Sequence, residues 1–227
     1  MMSRAGNNVG YRGRMRAGFT LVELLAVVAI MAILMVIALP AFHLFAKKDI
    51  DTAAAELRAT LRLARQYAVT RRQEVFVVFP TADDPAPSEE DVDKLLRSYA
   101  VLALTNDSPE QYEYVTEWHY LPQGIYFDDD DTLTGSAFRD AYDFPFPDEK
   151  APFYPMGAVK FTPRGWTYRY WDGEWHNEDV SIYLTTARRY HREGKELKYD
   201  SDIPGITNSV RVRRYTGQVE IRKEEQY

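Results

Sequence analysis

Residues 19–46 read FTLVELLAVVAIMAILMVIALPAFHLFA, a run in which Glu23 is the one formal charge. As a helix rising ~1.5 Å per residue, residues 19–46 extend about 40 Å, enough to cross a hydrocarbon core of roughly 30 Å. Ahead of the run stand Arg4, Arg12, Arg14 and Arg16, with no acid among the first 22 residues. The positive-inside rule therefore keeps the N-terminus cytoplasmic and puts the chain after Ala46 on the far side, with Lys47 and Lys48 the lesser counterweight. A secretory signal has a shorter apolar run, about 7–15 residues, and a small-x-small site at its distal end. Here the small residue, Gly18, comes before the run.

Two residues inside the run need separate explanations. A carboxylate near a helix centre in a bilayer costs on the order of 2.5–3.5 kcal/mol, so Glu23 either lies close enough to the interface to stay hydrated or has a partner. Pro40 removes a backbone donor and sets its ring against the carbonyl of Val36, which predicts a kink or local unwinding of the kind that lipid-embedded helices tolerate.

Downstream, Ile50, Ala54, Leu57, Leu61, Ala64 and Ala68 recur at spacings of three and four, with Arg58, Arg62, Arg65 and Arg71 between them. That is an amphipathic helix, and no breaker separates it from the apolar run between residues 41 and 72. From Glu74 the period changes to short β-rich runs at residues 75–79, 99–104, 112–121, 125–127, 159–161, 180–184, 209–213 and 218–221, which read as antiparallel strands. Residues 166–175, with Asp172-Gly173 at the middle, read as a tight hairpin. The Pro- and acid-rich stretches 81–93 and 128–155 read as loops. The fold class is α+β, a long N-terminal helix packed on an antiparallel sheet or sandwich.

The net charge of -6 hides an asymmetry. Without the four leader arginines and Glu23, 24 basic and 33 acidic residues remain, so the body carries -9 and opposes general nucleic-acid binding. With no cysteine, neither a disulfide framework nor a thiolate metal site is available.

The octapeptide Gly18-Phe19-Thr20-Leu21-Val22-Glu23-Leu24-Leu25 behind a basic leader resembles the processing signal of type IV prepilins and pseudopilins. The resemblance implies a leader over residues 1–18, cut by a prepilin peptidase between Gly18 and Phe19, and N-methylation of Phe19. It implies a membrane span over 19–46, its amphipathic continuation over 47–72, and an exported β-rich domain over 73–227. Glu23 would then pair with the N-terminal amine of a neighbouring subunit during filament assembly. The expected location is the inner membrane, single-pass, with the C-terminal domain extracytoplasmic.

Leu61-Arg62-Leu63-Ala64-Arg65-Gln66-Tyr67-Ala68-Val69, Trp118-His119-Tyr120-Leu121-Pro122-Gln123-Gly124-Ile125, Phe161-Thr162-Pro163-Arg164-Gly165 and a closing strand pair around Thr216-Gly217 resemble the H-type minor pseudopilins and the related FimT-like minor pilins. This implies a structural subunit of a type II secretion pseudopilus that assembles with other pseudopilins; the alternative is a minor pilin of a type IV pilus, with DNA uptake as a variant. The acidic stretches make the body larger than the family pattern.

Chemistry-bearing motifs are sparse. His43, His119, His176 and His191 lie far apart, and there is no His-Glu-x-x-His, Gly-rich phosphate loop or G-x-S-x-G elbow, so neither an enzyme nor a cofactor is expected. Asp128, Asp129, Asp130 and Asp131 are a weak calcium candidate, because four consecutive acids lack the alternating ligand spacing of a calcium loop and read better as a solvated loop. Trp166, Tyr168, Tyr170, Trp171 and Trp175 can form a stacking platform for sugar or bases; pairing across strands to fill a core is the commoner use. Residues 188–223 hold ten basic and five acidic side chains. Arg211, Arg213, Arg214, Arg222 and Lys223 make this the best case for DNA, but the Gly-Arg-x-Arg pattern of DNA-binding relatives is replaced by Gly217-Gln218-Val219-Glu220, and the acidic body opposes phosphate.

Overall fold

The computed structural model describes residues 21–130, 132–186, 188–202 and 206–224, of which 36–48, 188–189, 199–202 and 224 are described by their backbone alone. Gly18 and Phe19 lie outside the described residues. The chain divides into two compact units, Met1–Leu44 and Phe45–Tyr227.

One helix, α1 (Leu21–Arg71), carries the apolar run and the amphipathic repeat, and its backbone stays helical at Pro40. All six residues of the repeat, from Ile50 to Ala68, are completely buried. Each buried Ile or Leu among them stabilises the fold by about 1.5–3 kcal/mol. The helix ends where Arg72 turns left-handed at φ 56° and Gln73 N–H reaches back to the Ala68 carbonyl at 3.3 Å, a Schellman-type closure made without glycine.

The strands are β1 (Val75–Pro80), β2 (Ser98–Asp107), β3 (Glu110–Tyr114), β4 (His119–Tyr120), β5 (Tyr126–Phe127), β6 (Tyr142–Pro145), β7 (Phe153–Phe161), β8 (Thr167–Trp171), β9 (Glu174–His176), β10 (Val180–Thr185), β11 (Arg188–Glu193), β12 (Glu196–Asp202), β13 (Thr207–Val212) and β14 (Val219–Glu224). An eight-stranded sheet runs β3-β2-β1-β7-β8-β9, with β4 paired to β2 and β6 to β7. A four-stranded sheet runs β14-β13-β10-β5, and β11 and β12 form a separate ribbon. The ladders are antiparallel throughout, which fits the α+β expectation of a long helix followed by an antiparallel β domain.

Strand β1 shows why the body is thicker than a helix laid on a sheet. Val75, Val77 and Phe79 point into a core shared with α1 and with Phe127, Ile182, Leu184 and Val210 of the second sheet. Phe76 and Val78 point the other way, into a second core with Val92, Leu95, Phe144, Phe146, Tyr154 and Met156. The centre of the first sheet is thus buried on both faces, unlike the usual antiparallel sheet with one wet face.

The second core corrects the expectation that residues 81–93 and 128–155 are plain loops. The first stretch contains most of a 3₁₀ turn, Glu89–Lys94, and the second contains β6 and the first residues of β7. Their acids face solvent in large part, while Ala86, Val92, Phe144 and Phe146 cover the sheet. The expected strand over 112–121 is likewise two strands, β3 and β4. The ribbon β11–β12 has no counterpart among the expected strands, because its charged residues lack an apolar alternation.

Candidate functional site: an apolar anchor, an arginine clamp and an arginine-lined cleft

From Leu21 to Met35 every residue of α1 is exposed, the large apolar side chains by 48–80%. A helix that is apolar on all sides is stable only when buried in protein or lipid. Glu23 stands in its first turn, where a negative charge complements the helix dipole. Among the described residues no helix is long and apolar enough to cross a membrane. The described apolar side chains stop at Met35, 15 residues into α1, short of the ~20 that a span needs. The side chains of Pro40 and His43 lie outside the described residues.

In the body the structure joins three stretches that are far apart in sequence. Arg65, on α1, donates from Nε to the Gly165 carbonyl at 3.3 Å. Gly165 (φ 77°) ends the Thr162-Pro163-Arg164-Gly165 turn, closed by Gly165 N–H on the Thr162 carbonyl at 2.8 Å. Gly217 (φ 57°) ends the β13–β14 turn, closed by its N–H on the Arg213 carbonyl at 2.8 Å. A Cβ on Gly217 would overlap Cδ and Nε of Arg65, and one on Gly165 would come within 3.1 Å of its Nη2. The arginine therefore fills the space that two glycines leave and clamps the helix to both sheets. A second polar tie uses Asp51, which accepts from Asn208 Nδ2 at 3.0 Å and from Lys223 Nζ at 2.6 Å.

The basic C-terminal segment is accordingly divided. Lys223 belongs to the tie at Asp51, and Arg213 lies between Asp179 and Glu220, 3.1 Å from each. Arg211, Arg214 and Arg222 instead line a cleft of about 920 Å³ together with Arg139 and Arg169. Two carboxylates stand in the same cleft. Glu178 accepts from Arg169 at 2.6 Å (Nη2) and 3.1 Å (Nε). Asp179 accepts from Arg211 at 2.9 Å, Arg213 at 3.1 Å and the Arg214 amide at 2.9 Å. Burial pushes the Asp179 carboxyl upward, but these donors outweigh it and hold the group below the usual aspartate range. Arg139 and Arg169 carry no signal in the sequence, because Arg139 sits in an acidic insertion and Arg169 alternates with aromatics in a hairpin.

Among the other candidates, Asp128 and Asp130 cap turns of their own loop through the Asp130 and Thr132 amides. Among the described residues no three His, Cys, Asp or Glu side chains are grouped to hold a metal ion, and Asp131 lies outside them. His119 stacks on Tyr99 and His176 on Trp171. The aromatics of β8 and β9 pack with one another and with the second core, Tyr170 on Tyr142 and Trp175 on Phe76 and Tyr142, while Trp166 meets Tyr215. The Asp172-Gly173 hairpin turn forms as expected, with both residues left-handed.

The long helix with its apolar N-terminal stretch and the antiparallel body fit the pilin type of fold. Residues 13–39 match the prokaryotic N-terminal methylation motif, and residues 53–192 match type II transport protein GspH. The second match covers more than half of the chain, and the chain belongs to that family, the pseudopilins of H type. No curated protein and no solved structure matches it. The family match ends before β13 and β14, which contribute Arg211 and Arg222 to the cleft.

Proposed function

We propose that the chain is a structural minor pseudopilin of a type II secretion pseudopilus, cut between Gly18 and Phe19 by a prepilin peptidase and methylated on Phe19. The observation that carries this reading is the exposed apolar stretch of α1 bearing Glu23 within the methylation-motif match. Such a surface needs lipid before assembly and other subunits after it. In the inner membrane, with the arginine-rich leader cytoplasmic, residues 19–46 span the bilayer, Pro40 bends the span, and the body lies on the extracytoplasmic side. Glu23 then meets the N-terminal amine of a neighbour, a pair whose value lies in register more than in stability.

Mass spectrometry of the full-length protein purified from membranes tests the processing step. The expected mature N-terminus is Phe19 with one added methyl group; any other N-terminus overturns the reading. In the host cell, deleting the gene is expected to block export of secreted proteins while surface pili persist, and loss of pili with secretion intact would favour the type IV pilus.

A further inference from the structure

The cleft between β10, β13 and residues 132–139 is built for an anion. Its five guanidinium groups and two carboxylates leave three positive charges in excess, on a body that is otherwise acidic. The excess is localised. Arg169 and Arg211 are engaged with Glu178 and Asp179, whereas among the described residues no carboxylate forms an ion pair with Arg139, Arg214 or Arg222. Two of these three are held ready by aromatic faces: Arg139 lies 4.7 Å from the Trp171 ring centroid and Arg214 lies 4.6 Å from that of Tyr215. Stacking fixes the guanidinium plane and leaves its edge N–H groups available for a bidentate acceptor. Among the described residues the buried Arg211 Nε has no acceptor.

We propose that this cleft binds an acidic segment of a neighbouring polypeptide in the assembly, with Arg139, Arg214 and Arg222 receiving its carboxylates. Carboxylate is the ligand that the cleft's arginines already take, from Glu178 and Asp179, and Arg–carboxylate forks are among the strongest hydrogen-bonded pairs. The volume lies at the upper end of the range for concave ligand sites and admits a short peptide. Nucleic acid fits less well, because its charge would continue past the cleft. Beyond the cleft the body carries an excess of acid, which repels a passing phosphate chain over the ~8 Å screening distance of physiological salt. A short acidic segment confines its charge to the cleft.

The proposal depends on the assembly reading only for where the peptide comes from. Its test uses the full-length chain in non-ionic detergent and the fluorescence anisotropy of a labelled hexaglutamate peptide with blocked termini, at low and physiological salt. Wild type is expected to bind, more weakly as salt rises. The triple variant Arg139→Gln, Arg214→Gln, Arg222→Gln is expected to lose at least tenfold in affinity with its circular dichroism unchanged. A charge-matched control at exposed cations outside the cleft, Arg62→Gln, Arg71→Gln, Lys150→Gln, should lose less than twofold. Equal losses in the two variants, no binding by wild type at low salt, or tighter binding of a single-stranded oligonucleotide than of the peptide would each overturn the proposal. Because binding is read without a filament, a mature N-terminus elsewhere than Phe19 would sink the assembly reading and leave the cleft standing.

Discussion

Gly217 holds φ 57° with the Arg65 side chain occupying the place of a Cβ, so replacing it brings two penalties at once, left-handed strain and a steric overlap. Gly173 is at φ 78° with nothing within 4 Å of a Cβ and brings only the first. Left-handed strain alone costs about 1–2 kcal/mol for a non-glycine residue. Gly173→Ala is therefore expected to destabilise the body by about that amount and Gly217→Ala by about 2–4 kcal/mol, since the displaced arginine also loses its bond to the Gly165 carbonyl. Urea unfolding followed by tryptophan fluorescence measures both; equal midpoints for the two variants would show that Arg65 yields freely and clamps nothing. In the sequence Arg65 is one of several arginines on the polar side of a helix, and Thr216-Gly217 is a turn signal. Periodicity and turn chemistry make each of them legible alone, but neither speaks of a contact between residues so far apart in the chain.

At the level of elements, the helix and the main strands are legible because their signals are local: a three-four spacing that buries six side chains, and β-branched runs that become β1, β10 and β13. The second core is not, because its apolar residues are scattered through acidic, proline-rich sequence and act only when laid on the sheet. Tyrosine hydroxyls fasten that layer. Tyr112 and Tyr142 both donate to Glu110, at 2.7 and 2.9 Å; Tyr114 donates to the Pro145 carbonyl at 2.6 Å; and Tyr154 donates to the carbonyls of Thr81 and Asp84 at 3.0 and 2.5 Å. Burial, and next to it neighbouring carboxylates, pushes all four above the usual tyrosine range, Tyr142 to about 12. The sign follows from linkage: the unfolded chain releases these protons first as pH rises, so their stabilisation is complete below pH ~10 and falls away above it. Alkaline titration at 295 nm should show these four ionising only together with loss of the near-ultraviolet dichroism of the fold. Smooth ionisation of all sixteen tyrosines with the fold intact would mean that the insertions are not fastened in this way.

On the scale of the whole molecule, charge is segregated along the chain into a basic leader, an apolar helix with one acid, and an acidic body with five arginines gathered in one cleft. Glu23 works against membrane entry of a lone chain, since removing a charge from an apolar helix eases insertion by a few kcal/mol. On the proposed reading its use comes from a second molecule. A neighbour's N-terminal amine enters the helix bundle opposite the carboxylate, and without it that amine is an uncompensated buried charge costing roughly 3–5 kcal/mol. At ~1.4 kcal/mol per tenfold, Glu23→Ala should still be processed and found in the membrane, yet be incorporated a hundredfold or more less well. Glu23→Gln keeps the shape and polarity and loses the charge, so it should fail nearly as badly. The measurement is crosslinking to partner subunits in membranes at equal abundance of wild type and both variants. If both variants crosslink and support secretion as wild type does, Glu23 is a hydrated interfacial carboxylate and the register of the filament is set elsewhere.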